Sequence, residues 1–97
     1  MIYRNRDLLD IAHEAPCFLQ LGMPCSIHPS VPCHSDMLKH GRGIGHKSHD
    51  FLAVAGCPDC HAKFTRANLG EDYERVWQLA YIKYQEWLWL NDKVKVA

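Results

Sequence analysis

The sequence has no surplus of either charge: eleven Lys and Arg stand against eleven Asp and Glu in 97 residues. A neutral chain projects no long-range basic field, so the total charge does not announce a nucleic-acid binder. Long apolar runs are also missing. No stretch of about 18 consecutive apolar residues occurs, and a membrane-spanning helix is therefore not expected. The opening residues, MIYRNRDLLDIAHEAPC, contain no apolar segment of the kind a secretory signal uses. The expected location is accordingly the cytoplasm. There is no internal repeat and no low-complexity tract. What remains is 47% apolar and 23% charged, the balance of a globular chain, and 11.2 kDa is enough for one domain, taken as residues 1–97.

Five Cys and seven His in so short a chain are the anomaly. Five of those histidines fall between His34 and His61 inclusive. Residues 35–66 carry a local excess of positive charge: Lys39, Arg42, Lys47, Lys63 and Arg66 against Asp36, Asp50 and Asp59, five minus three, an excess of two. If a polyanion binds, this middle segment is where it is welcome.

Periodicity and punctuation divide the chain. Residues 6–14 suit a short helix stopped by Pro16. Residues 17–34 include Pro24, Pro29 and Pro32, which predicts a knuckle or loop with short extended pieces. The glycine-rich stretch at 39–50 reads as a polar loop, FLAVAG at 51–56 as a buried strand, and Cys60 to about Asn68 as a short helix. The clearest element lies at about 71–91. Tyr73, Val76, Trp77, Ala80, Tyr81, Tyr84, Trp87 and Leu88 recur at three- and four-residue steps and make one face of an amphipathic helix. Acidic Glu71, Asp72 and Glu74 open it, as the helix dipole favours. An aromatic stripe of this period is expected to be core. Leu79, Ile82 and Trp89 fall off it and suit a self-association surface, so a homodimer is one expected partner.

Cys17 and Cys25 have seven residues between them, and Cys57 and Cys60 have two. A looped pair plus a tight Cys-x-x-Cys pair is the ligand pattern of a tetrahedral four-thiolate zinc site. Such a site supplies folding free energy that a small core lacks. Three other readings exist. Cys57-Pro-Asp-Cys60-His61 also fits a c-type haem attachment, but that leaves Cys17 and Cys25 unexplained. A thioredoxin-like dithiol needs alternating strands and helices that this chain does not offer. Buried, unligated cysteines would not explain two paired spacings.

His34 follows a proline-limited extended stretch, and His61 comes directly after Cys60. The order of knuckle, histidine, loop, strand, Cys-x-x-Cys-His and helix resembles the ββα-metal (His-Me finger, or HNH) nucleases built on a treble clef. The chain also resembles the small YbcO-like family of lambdoid-prophage nucleases. That resemblance rests on Cys17…Cys25, His34, Gly43-Ile-Gly45-His-Lys47-Ser-His-Asp50, Cys57-Pro-Asp-Cys60-His61 and Trp89-Leu90…Val94-Lys95-Val96-Ala97, across about residues 15–97. The implied fold is α+β, a zinc-stapled treble-clef domain with its core at about 15–68 and a long C-terminal helix.

The resemblance also implies roles. Phosphodiester hydrolysis needs an activated water and neutralisation of charge growing on the phosphate. His34 stands at the family's first histidine and would be the general base, since imidazole takes a proton near neutral pH. His61 would bind a catalytic divalent ion, Mg²⁺ or Mn²⁺ with Zn²⁺ as a softer choice. Asp50, near the family's central Asn, would be either a second ligand of that ion or an orienter of the base. Lys39, Arg42, His46 and Lys47 would approach DNA phosphates. Two departures stand out. Cys33 occupies the position before the base where many relatives place a ligand, and is either a soft ligand or a spare buried thiol. Thr65 replaces a second helix histidine. His40 and His49 have no assigned role. The expected function is a metal-dependent endonuclease in phage recombination or replication, with DNA and recombination proteins as partners. The alternative is a catalytically inactive zinc-stapled module that binds DNA or protein.

Overall fold

A computed structural model describes residues 2–21, 25, 28–37, 42 and 47–94 of the chain. Helix α1 (Arg6–Ile11) begins where Asn5 caps it, the Asn5 side-chain oxygen accepting from the Leu8 amide at 3.1 Å. A 3₁₀ turn at Ala12–Glu14 continues it, in keeping with the expected 6–14 segment. Strand β1 (Val31–His34) pairs antiparallel with β2 (Ala53–Gly56), with Val31 opposite Gly56 and His34 opposite Ala53. The outer edge of β2 is covered as well, because the Phe18 amide donates to the Ala55 carbonyl at 2.9 Å. A two-stranded sheet is marginal alone and needs such cover.

The expected strand 51–56 is shorter than its apolar run. Asp50–Leu52 form a 3₁₀ turn and only Ala53–Gly56 are extended. All four strand residues are buried, because β2 is packed on both faces. Gly56 is required by this packing. A Cβ there would lie 2.6 Å from Cδ1 of Leu19 and 3.2 Å from Sγ of Cys33.

The helix expected from Cys60 to Asn68 is two helices. α2 (Pro58–Lys63) starts earlier, with Pro58 in its first turn and Cys57 as its cap, and α3 (Arg66–Leu69) follows a break. The break has a local cause. Phe64 turns inward to stack on Tyr73, centroids 4.3 Å apart, and the Thr65 hydroxyl caps α3 by accepting from the Asn68 amide at 3.1 Å. Thr65 is thus spent as a helix cap.

Helix α4 (Tyr73–Leu90) buries Tyr73, Trp77, Ala80, Tyr84 and Leu88, with Val76, Tyr81 and Trp87 packed at the margin. This is the expected aromatic face, and it closes the core over β2. Its end is a Schellman turn. Asp92 takes φ 56°, its amide donates to Trp89, and the Lys93 amide donates to Leu88 at 2.8 Å. The result is a small α+β fold in which one hydrophobic cluster joins both strands, the knuckle region and α4. Among the described residues no helix is long and apolar enough to cross a membrane.

Candidate functional site

The four cysteines come together from three parts of the chain. Cys17 follows the N-terminal helix, Cys25 lies in the proline-rich segment, Cys57 caps α2 and Cys60 sits in its first turn. Their sulfur atoms all lie within 4.8 Å of one another. Tetrahedral zinc with arms of about 2.3 Å needs sulfur–sulfur edges of about 3.8 Å, so small shifts close the site. All five cysteines are free thiols, and the Cys25 and Cys60 sulfurs stand 4.0 Å apart, well beyond a disulfide.

The backbone is arranged around these sulfurs. The Gln20 amide donates to Cys17 Sγ at 3.4 Å, Leu21 to Cys60 Sγ at 3.3 Å and Cys60 to Cys57 Sγ at 3.4 Å. Amides aimed at sulfur, with the α2 N-terminus behind two of the four, favour thiolates. Gln20 holds a φ of 45°, an unusual conformation for a residue with a side chain, at the turn where its amide meets Cys17. Burial pushes the Cys60 thiol up to about 12, eased by the Leu21 amide and reinforced by the neighbouring thiols. Burial and the crowding of Cys17 raise Cys25 likewise. A cation with soft-ligand affinity is the species that reverses this, since each thiolate then faces positive charge. The donor set fits zinc.

Cys33 is outside that cluster. It is fully buried on β1, its thiol lies 3.4 Å from the Val31 carbonyl, and burial followed by the Cys17 and Cys57 charges pushes it up to about 12. Of its two expected roles the structure places it as the buried thiol, a core atom against Gly56.

A second polar centre lies at the end of β1. His34 Nε2 is 2.9 Å from Asp50 Oδ1. The same oxygen accepts from Arg4 Nη1 at 3.0 Å, and Oδ2 accepts from the Asn5 amide at 2.6 Å. Asp50 is 4% exposed. Burial alone would raise its carboxyl, but the bonds from His34, Asn5 and Arg4 outweigh it and hold the group below the usual carboxylate range. An ionised carboxylate only accepts, so Nε2 of His34 donates to it, which in the neutral imidazole leaves the lone pair on Nδ1. Three donors on a buried carboxylate favour the orienting role expected of Asp50 over the metal-ligand role.

Sequence reasoning missed the segment that holds this centre. Arg4 also donates to the Ser48 carbonyl at 2.6 Å and the Lys47 carbonyl at 2.8 Å, while the Asp50 amide donates to Tyr3 at 3.0 Å. Residues 3–5 thus strap onto 47–50. Only the Asn5 cap has a sequence signature; the strap pairs the Arg4, His49 and Asp50 side chains with groups more than forty residues away, and no local pattern marks that.

His61 projects from α2 on the surface. Partial desolvation, then the charges of Lys47 and His34, hold it below the ordinary imidazole range, so the two histidines and Lys47 share one electrostatic neighbourhood. Arg42 and Lys47 are exposed. Lys39, His40 and His46 lie outside the described residues. Among the described residues, the four cysteines form the one cluster of three or more ligand groups able to hold an ion. No protein-family model, no curated protein and no solved structure matches the chain.

Proposed function

We propose that this protein is a metal-dependent DNA endonuclease of the ββα-metal type, stapled by one zinc ion on Cys17, Cys25, Cys57 and Cys60. The observation that carries the reading is the His34–Asp50 pair at 2.9 Å, set beside a strand–strand–helix order in which His61 follows Cys60 on α2. Asp50 orients the imidazole and stabilises the positive charge that develops as Nδ1 takes a proton from water. Arg4 and the Asn5 amide keep Asp50 ionised, so the proton stays on His34 until it is released to solvent or the departing oxygen. Lys47, whose charge reaches His61, would add positive charge for a phosphate. A hard divalent ion, with His61 as its protein ligand, would supply charge neutralisation on the phosphate. Its remaining ligands would be water and the phosphate itself.

The second reading is a catalytically inactive zinc-stapled module that binds DNA or protein. It is favoured by the single ligand cluster among the described residues, since His61 belongs to no group of three or more ligand side chains there. Supercoiled plasmid with Mg²⁺ or Mn²⁺ separates the two. Nicking that depends on His34 supports the nuclease; DNA binding with no nicking supports the module. The phage setting, with recombination proteins as partners and the cytoplasm as location, belongs to the same proposal and rests on the sequence resemblance alone.

A further inference from the structure

Beside the His34–Asp50 pair lies an aromatic surface that the hydrolytic chemistry does not use. Phe51 directly follows Asp50 and is 45% exposed, and Tyr3 directly precedes Arg4 and is 44% exposed. Their rings lie 5.6 Å apart, tilted by 60°. His49 stacks on Phe51 at 5.0 Å and 15°, making a row of Tyr3, Phe51 and His49. The row is fixed rather than loose. The Tyr3 amide donates to His49 Nδ1 at 3.0 Å, the Tyr3 hydroxyl accepts from Asn5 at 2.9 Å, and the Phe51 carbonyl accepts from Tyr81. Because Nδ1 of His49 is the acceptor, Nε2 bears its hydrogen and is a donor.

Large apolar rings held half-open to water are costly unless something covers them. The charge around them selects the occupant. Arg4 is paired with Asp50 beside the row, and exposed Lys47, two residues before His49, adds positive charge there. A flat, π-faced partner with negative charge beside it fits this surface, and that is a nucleotide. In a duplex the base faces are covered by their neighbours, so only an unpaired base can lie on these rings. The neutral chain points the same way, because few phosphates can be neutralised and stacking must carry more of the binding.

We propose that Tyr3, Phe51 and His49 form a stacking platform for an unpaired nucleobase, making single-stranded or frayed DNA the bound substrate. The position of the scissile phosphate next to this base rests on the nuclease reading; the platform itself does not.

The test uses the full zinc-loaded chain carrying His34→Ala, so that nothing is cut. Binding of a fluorescein-labelled single-stranded oligonucleotide and of the matching blunt duplex is measured by anisotropy. The single strand is expected to bind more tightly. Adding Phe51→Ala should weaken single-strand binding by about 5- to 150-fold, the range for one lost base stack, with duplex binding unchanged. Phe51→Trp should restore it, and circular dichroism should show all variants folded. Equal single-strand affinity with and without Phe51, or a preference for duplex, overturns the platform. Phe51-dependent binding by a parent chain that cuts no DNA would leave the platform standing and remove the nuclease; Phe51-independent cutting would do the reverse.

Discussion

His34 on β1 and Asp50 in the turn before β2 meet at 2.9 Å, and Asp50 is in turn gripped by Arg4 and the Asn5 amide. The orientation of one imidazole therefore depends on a strap made by residues 3–5. Removing Arg4 should disturb the pair, because Arg4 and His34 share the same Asp50 oxygen.

Acid should expose the Asp50 contribution. Its carboxyl is held below the usual range in the fold, whereas in the unfolded chain it titrates near about 3.9. The stability it provides is thus present in full above about pH 5 and fades as pH falls through the lower, folded value. Asp50→Asn should cost about 1.5–3 kcal/mol at neutral pH, the range for hydrogen bonds to a charged group. Urea unfolding of parent and variant as a function of pH checks this. The difference between them should be present at neutral pH and shrink below about 4. Comparing the two chains cancels any acid loss of zinc they share. A difference independent of pH would mean that Asp50 is not held as an ion.

One zinc per chain is expected by elemental analysis, and chelation should unfold the domain, because site formation and folding are coupled. Cys57→Ala should abolish folding, since it removes both a ligand and the α2 cap. Cys33→Ala should keep its zinc and lose only packing. Zinc loss on replacing Cys33, with retention on replacing Cys57, would reverse the ligand assignment.

Gly56→Ala tests how the sheet supports the knuckle. The added methyl meets Leu19 at 2.6 Å, and Leu19 lies two residues after Cys17. The variant should lose about 1–3 kcal/mol, the usual cost of overpacking, and give up zinc more readily to a competing chelator. Parental stability and parental zinc affinity together would show that Leu19 and the knuckle are not coupled.

The parts of this molecule that could be read from sequence are those written in side-chain spacing. The α4 face follows from the recurrence of Tyr73, Trp77, Ala80, Tyr84 and Leu88, and the cysteine cluster from two paired intervals. Other features arise from competition between neighbours. Phe64 leaves the helical path because Tyr73 offers a buried ring to stack on, and Thr65 restarts the helix as a cap. Spacing within 60–68 contains no trace of Tyr73. The FLAVAG run overstates its strand because Phe51 and Leu52 belong to a turn that aims Asp50 inward. The strap of residues 3–5 on 47–50 is the extreme case. It joins groups more than forty residues apart, most of them one side chain meeting one backbone atom, and no spacing within either segment records the pairing.

The central claim is that His34 is the base of a nuclease. Its most direct test is cleavage of supercoiled plasmid and of single-stranded circular DNA in Mg²⁺ or Mn²⁺ by the parent and by His34→Gln, at equal zinc content. The glutamine amide can still donate to Asp50, so stability should stay within about 1 kcal/mol of the parent, near the net worth of one hydrogen bond. Cleavage should fall by about 10²–10⁴, the contribution of a general base. A parent that cuts neither DNA, or a folded His34→Gln chain that cuts at the parental rate, would contradict the account.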